Sequence, residues 1–323
     1  MRVLVTGGAG YLGSVLVPSL LRAGHRVTVV DSLLHGGESL LGVYHEGDFL
    51  FVKEDIRSLG NSAGVLDGVE AIVHLAAIVG DPACARQPDL ARSVNYEASL
   101  GLFDRARRKD VQCFVFASTC SNYGKMTAGS GFLDERSPLR PVSLYAETKV
   151  GVEQALLNGH GSNGPAVTVL RCSTLFGLSP RMRFDLTVNE FTKELLVKRK
   201  LLIFGKQFWR PYVHVQDVAR AIMRVLESPP DRVAGEVYNV GDSGQNYQKG
   251  QIVELVRSNL DFDVDIEYVE KAEDPRDYRV AFDKIRDRLG YRISRTVEEG
   301  ICEVRDAIRQ GIFTDCESPR YHN

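Results

Sequence analysis

Charge of one sign is what this chain most lacks: 40 Lys and Arg stand against 42 Asp and Glu over 323 residues, a formal net charge of −2. The basic residues are scattered, so a polyanion finds no continuous attracting surface and no nucleic-acid partner is expected. Long apolar runs are missing as well. None reaches the ~18 residues of a membrane span, and Met1 leads straight into a strand-like segment without a secretion-signal pattern, so a cytoplasmic protein with no membrane attachment is expected. Cysteines are few: Cys84, Cys113, Cys120, Cys172, Cys302 and Cys316 show neither Cys-x-x-Cys nor a Cys/His grouping with metal spacing. This argues against a metal site and a disulfide framework, and predicts mostly buried, reduced thiols. Internal repeats, low-complexity segments and long flexible linkers are lacking too, which suits two lobes sharing one cleft. At 44% hydrophobic and 25% charged, the chain has ordinary globular composition and length enough for one large domain or two unequal ones.

What is present begins with residues 2–6 (RVLVT), a short apolar run of buried-strand type. Gly7-Gly8-Ala9-Gly10-Tyr11-Leu12-Gly13 and a helical pattern over 15–21 follow at once. Strand, glycine turn and helix make a phosphate cradle. Gly7, Gly10 and Gly13 let the backbone turn tightly, approach a pyrophosphate and pack the helix on the sheet, with the helix N-terminus aimed at the anion. A second strand over 25–30 ends at Asp31, whose carboxylate suits the hydroxyls of an adenosine ribose and repels a 2′-phosphate, favouring NAD over NADP. Further strands are expected at 49–52, 71–77 and 113–117. In the fourth strand (AIVHLAA) the small Ala76 and Ala77, after Leu75, let a dinucleotide lie across the strand ends, and His74 reads as a satisfied core histidine. Asn95 opens an amphipathic helix running to about residue 109.

The chemistry is expected at Tyr145-Ala146-Glu147-Thr148-Lys149, where residues four apart share one helix face. A free tyrosine titrates near ~10 and is a poor base at neutral pH unless a positive charge, here Lys149, stabilises its phenolate. So prepared, it can take the proton of an alcohol hydroxyl while hydride leaves the same carbon for an oxidised nicotinamide.

TGGAGYLG, the terminal Asp31, Asp55-Ile56-Arg57, HLAA, Val94-Asn95, Ser118-Thr119 before Tyr123-Gly124, and YAETK occur in one order. The whole resembles the extended short-chain dehydrogenase/reductase family, in particular its nucleotide-sugar epimerases and dehydratases typified by UDP-galactose 4-epimerase, over nearly the full chain. The resemblance implies a catalytic Thr119, Tyr145 and Lys149. It also implies cofactor contacts from Gly7, Gly10, Tyr11, Leu12, Gly13, Asp31, Asp55, Ile56, Leu75, Ala76, Ala77, Asn95, Tyr145 and Lys149, with Asp55 and Ile56 by the adenine and Asn95 linked to the active-site hydrogen bonds. The family's 4,6-dehydratases follow the Thr119 position with Asp and Glu; here Cys120 and Ser121 stand there, which disfavours dehydration. Cys120 remains open between an epimerising thiol and a packing thiol. Residues 125–140 read as a loop over the active site.

After a sixth strand at 167–171, Thr174 stands where the family commonly has a substrate-contacting Asn. Beyond Gly177 the strand rhythm breaks and arginines gather, and their forks match phosphate oxygens. By resemblance Asn189, Arg210 and Arg276 hold a nucleotide diphosphate, with Arg183 and Arg279 in reserve and Ser118, Thr119 and Cys120 near the sugar. Residues 202–204 form a short strand along the base. His214 reads as structural, Asp217 as an N-cap, 237–240 as a strand, and 252–259, 284–289 and 297–310 as helices. Residues 314–323 are a polar tail of no evident purpose.

The expected fold is α/β: a Rossmann-type doubly wound parallel sheet over 1–177, rejoined by 211–240, with a smaller α/β substrate lobe from 178–210 and 241–323. The expected function is an NAD-dependent nucleotide-sugar epimerase acting by transient hydride transfer, at C4 of the sugar. An NAD(P)H-dependent 4-ketoreductase and a redox-silent dinucleotide-binding sensor are the alternatives. By analogy, helices starting at Asn95 and Tyr145 build a homodimer.

Overall fold

In the computed structural model, residues 1–59, 64–126, 131–159, 164–271, 274 and 276–323 are described; residues 127–130 of the expected active-site loop fall outside them. The strands are β1 (Arg2–Thr6), β2 (Arg26–Asp31), β3 (Phe49–Lys53), β4 (Ala71–His74), β5 (Cys113–Thr119), β6 (Ala166–Cys172), β7 (Thr174–Phe176), β8 (Lys200–Phe204), β9 (Trp209–His214), β10 (Glu236–Val240), β11 (Asn246–Gln248) and β12 (Asp265–Val269). Seven form one parallel sheet in the order β10-β6-β5-β4-β1-β2-β3.

A parallel sheet needs both faces covered, and the alternation of side chains along β1 shows how this is done. Val3 and Val5 join a core with Leu16, Val17 and Leu20 of the helix Gly13–Arg22 and Val218, Ile222 and Val225 of the helix Val215–Glu227. Leu4 points the other way, into a second core with Leu102 and Phe103 of the helix Ser99–Arg108 and Val152 and Leu156 of the helix Leu144–Asn158. A third core, with Leu195, Ile252 and Ile301, joins the helices Thr187–Lys198, Lys249–Ser258 and Val297–Arg309 beside the small sheets β11-β9-β7 and β12-β8. Among the described residues no helix is long and apolar enough to cross a membrane.

The strand order reverses between β1 and β4, and a cleft opens there at the carboxyl ends. β4 stops at His74, three residues short of the expected end, because residues 75–77 curl under the glycine turn. Gly7 has φ +74°, and a Cβ on it would lie 2.7 Å from the Ala76 nitrogen; one on Gly13 would overlap the Gly7 carbonyl oxygen. His74 is a satisfied core histidine, bonded to Thr6 (2.7 Å) and Ser99 (2.8 Å), and burial pushes it down to about 3.

Two local expectations differ from the structure. Asn95 does not open a helix but sits in a π-helical turn, Ser93–Ala98, preceded by the unexpected short helices Asp81–Arg86 and Pro88–Arg92. The cap of the helix Val215–Glu227 is His214, whose Nδ1 accepts from the Gln216 amide (3.2 Å); its Nε2 therefore carries the proton toward Glu303 (2.6 Å). Asp217 lies inside the first turn, buried, accepting from the amides of Ser294 and Arg295.

A buried polar network joins the helix Leu144–Asn158 to the sheet. Glu153 forms a salt bridge with Arg171 of β6 (2.8 Å), both almost wholly buried, and accepts from Ser118 of β5 and from Asn122 (2.6 Å). Arg171 continues to Tyr123 (3.0 Å), and Tyr123 to Asn239 of β10 (2.7 Å). Removing one member strands the other charge in the core. Glu153→Ala is expected to lower unfolding stability by about 3–5 kcal/mol. In urea titrations the double change Glu153→Met, Arg171→Leu is expected to cost less than the sum of the same two changes made singly, a coupling that marks the pair as mutually dependent.

Candidate active site

The cleft wall is built by Gly7, Ala9, Gly10 and Tyr11 of the glycine turn, by the ends of β2 and β4, and by the segment 54–57. Among the described residues the backbone amides of Tyr11, Leu12 and Gly13 have no acceptor, although Gly10 and Ser14 do. Three open N–H groups at a helix N-terminus fit an anionic phosphate. Asp31 accepts from the Ala9 amide (3.0 Å) and the Leu33 amide (2.8 Å), one bond to each oxygen, which fixes its plane and leaves lone pairs for ribose hydroxyls. Burial raises its pKa, and those two amides oppose the rise. Asp55 and Ile56 lie on the wall, Asp55 locked by Arg57 (2.7 Å), and Leu75, Ala76 and Ala77 complete the floor. These residues fit a dinucleotide.

Asn95 acts from behind this floor. Its Oδ1 accepts from the Ile78 amide (2.7 Å) and its Nδ2 donates to the Ile78 carbonyl (3.0 Å), so both ends of the amide are taken. The direct cofactor contact expected of it is replaced by a clamp on the loop that lines the cleft.

Ser143, an N-cap absent from the sequence reading, begins the helix Leu144–Asn158 by accepting from the Ala146 amide (3.3 Å), and donates to Asp81 (2.7 Å). Two residues on, the half-buried Tyr145 offers a hydroxyl with no protein partner among the described residues. Burial pushes this phenol above its ordinary range, while Arg183 on the cleft wall opposes the rise. Lys149 follows at i+4, 3% exposed, its ammonium donating to the Ala117 carbonyl (2.8 Å), 4.6 Å from the Phe116 ring centroid and 5.9 Å from that of Tyr145. Cys84 and Cys172 lie within electrostatic range of both the phenol and the ammonium, which places the two groups in one neighbourhood. Thr119 ends β5, and its oxygen accepts from the Ser121 amide (3.1 Å), leaving the hydroxyl proton to donate.

Other expected contacts fall elsewhere. Ser118 is buried and spends its hydroxyl on Glu153. Cys120 is 1% exposed in the main core, its thiol on the Arg171 carbonyl (3.2 Å), and burial holds it protonated far above neutral pH. It is therefore the packing thiol, not a substrate contact. Asn189 has no exposure, with its amide divided among Gly177 N (2.9 Å), Arg183 O (2.9 Å) and Tyr11 OH (3.2 Å), so it braces the turn after β7 instead of meeting a phosphate. Arg183, paired with Asp185 (2.6 Å), lines the dinucleotide cleft and stands apart from the arginines of the small lobe.

Those arginines do gather. Arg210, 6% exposed, bonds Asp274 (2.8 Å) and faces the Tyr278 ring; Lys249 reaches the same carboxylate (3.3 Å). Arg276 crosses to Asp81 (2.9 Å), the carboxylate that holds Ser143, and Arg279 stacks between Phe132 and Trp209. Asp81, Asp274 and Lys249 carry no local mark of membership in this cluster, since the three come together only through the fold.

The buried Lys149 has a consequence for stability. Burial pushes its ammonium down to about 8 from 10.5. Between those values the unfolded chain holds a proton that the folded one has released, so folding gains from each rise in pH. The unfolding free energy of the dinucleotide-free protein, relative to Lys149→Met, is expected to increase from about pH 8 to 10.5 in urea titrations.

Residues 3–241 match the NAD dependent epimerase/dehydratase family. A dTDP-glucose 4,6-dehydratase of Actinoplanes is 32% identical over 94% of this chain and 96% of its own length. A UDP-glucose 4-epimerase of Corynebacterium glutamicum is 30% identical over 90% of each chain. The structure of UDP-glucose 4-epimerase from Thermotoga maritima with UDP-glucose superimposes with a TM-score of 0.85 at 28% identity, over 97% of this chain and all of the other. Cradle, strand order, YAETK helix and these matches agree: the chain belongs to the NAD dependent epimerase/dehydratase family.

Proposed function

We propose that the protein is a nucleotide-sugar epimerase that inverts one sugar carbon, C4, without net oxidation. The observation that carries this reading is the open phenol of Tyr145 one helix turn from the buried Lys149 ammonium, which is bonded to β5 at Ala117, two residues before Thr119, with no carboxylate at positions 120 and 121. Bound NAD supplies a reversible acceptor for the hydride of the sugar carbon.

The protein's own part is proton transfer and positioning. Tyr145 takes the proton of the sugar hydroxyl and returns it after the keto sugar has turned over in the cleft. Thr119 donates its free O–H to the same oxygen. Lys149, with one proton on Ala117, has two left for the nicotinamide ribose and for lowering the phenol's pKa. A dehydratase needs an acid to expel the C6 hydroxyl and a base at C5. Cys120, turned into the core, and the hydroxyl of Ser121 supply neither.

The substrate's diphosphate is assigned to Arg210 and Arg276, with Lys249 beside them and Arg279 toward the base. Arg276 then exchanges Asp81 for phosphate when substrate enters, so the lobes begin bridged by a carboxylate and end bridged by the ligand. The packing of the helix Leu144–Asn158 against the Ser93–Ala98 turn, where Gly151 meets the Tyr96 ring, leaves an outer face for a second copy. A homodimer is expected in sedimentation at micromolar concentration.

Nucleotide hexoses incubated with the protein are expected to give their C4 epimers by NMR, with added NADH unconsumed. A 4-keto-6-deoxy product would show a dehydratase, and consumption of NADH a ketoreductase. Tyr145→Phe is expected to lower kcat by roughly 10²–10⁴ while leaving NAD content unchanged.

A further inference from the structure

After β7 the chain folds back onto the glycine turn. Ser179 donates to the Tyr11 carbonyl (2.7 Å) and shares a hydrogen bond with Ser14 (2.9 Å), and the Arg181 amide donates to Ser14 Oγ (3.4 Å). Arg181 is thereby stitched beside the N-terminus of the helix Gly13–Arg22, where the amides of Tyr11, Leu12 and Gly13 lack acceptors among the described residues.

The side chain is 6% exposed and lines the cleft. Its Nη2 donates to the His322 carbonyl (3.0 Å), while its Nε is buried with no hydrogen-bond partner. A guanidinium has five donors, and one neutral carbonyl does not compensate its charge. The nearby Asp185 is taken by Arg183 through two bonds (2.9 and 2.6 Å). His35 offers no counter-charge: burial first, then Arg181 and Arg183, push it down to about 4, so it is neutral. A desolvated cation with an unpartnered Nε, lining the same cleft as the glycine turn with its three idle amides, marks the place of an anion.

The tail holds it there. Tyr321 accepts from the Phe184 amide (2.9 Å) and packs edge-on against Phe184 and Phe313, and Arg86 donates to the Asn323 carbonyl (2.9 Å). Asn323 itself lines the cleft.

We propose that Arg181 binds the diphosphate of the dinucleotide, closing from the far wall the anion site that the glycine turn opens, with residues 321–323 as the clamp that fixes its guanidinium. The role is separate from that of Arg210 and Arg276, which serve the substrate's diphosphate. It does not depend on which reaction the protein catalyses.

The test is titration calorimetry on protein stripped of dinucleotide, with ADP-ribose, adenosine and adenosine 2′-phosphate as probes. Arg181→Gln is expected to weaken ADP-ribose at least tenfold while changing adenosine less than twofold. Arg181→Lys, which keeps the charge and is the gentler change, is expected to fall between Gln and parent. Equal losses for ADP-ribose and adenosine would show a merely structural arginine, and an unchanged ADP-ribose affinity would overturn the proposal outright. A loss confined to adenosine 2′-phosphate would overturn it too, by assigning the residue to a 2′-phosphate.

Discussion

The ion pair between Glu153 and Arg171 sets the frame within which everything else is positioned. It ties the far end of the helix Leu144–Asn158 to β6, and through Ser118, Asn122, Tyr123 and Asn239 to the ends of β5 and β10. Thr119 and Lys149 lie one and four residues from members of this network. Buried ion pairs contribute little net stability compared with apolar packing, because desolvating two charges costs nearly what their attraction returns. Their value here is geometric. An apolar helix face can slide against a sheet with little penalty, whereas a salt bridge with four further hydrogen-bond partners has one register.

The active site uses the same low dielectric in the opposite sense. Lys149 is a single buried cation with a carbonyl for company, and burial has brought it near the range where it loses its charge. Burial also pushes Tyr145 away from the phenolate that the proposed reaction requires. Each group is ill at ease alone, and each is relieved by the other's charge once a ligand excludes water between them. Arg181 shows a related imbalance across the glycine turn. The dinucleotide cleft thus holds an uncompensated positive charge at Arg181, while Arg210 and Arg276 are paired with Asp274 and Asp81.

The cradle was legible because its chemistry is local: Gly7 and Gly13 act through backbone geometry within one strand-turn-helix unit, and Asp31 presents its carboxylate at the end of the next strand. Tyr145 and Lys149 were legible for the same reason, being one helix turn apart. The resemblance that puts Ser118, Cys120 and Asn189 at the substrate carries position along the chain but not side-chain direction. Ser118, still in β5, points to Glu153, while at Cys120 the chain has left the strand for the tight turn Cys120–Tyr123, which carries the thiol into the main core. Asn189 is claimed by the Gly177 amide, the Arg183 carbonyl and the Tyr11 hydroxyl, and is not available to the diphosphate it was expected to hold. Glu153, Arg171, Asp81 and Arg181 carried no local signature, since their partners lie on other elements, 18 residues away for the buried pair and 141 for Arg181 and its clamp.

The central claim is that a phenol, a threonine hydroxyl and a bound nicotinamide act on one sugar carbon and return it inverted. A nucleotide hexose carrying deuterium at C4, followed by NMR in ordinary water, tests this directly. The account requires both C4 epimers to appear with the deuterium kept at C4, since hydride leaves and returns within one closed site. Loss of the label to water, or its delivery to C6 of a 4-keto-6-deoxy product, would contradict it.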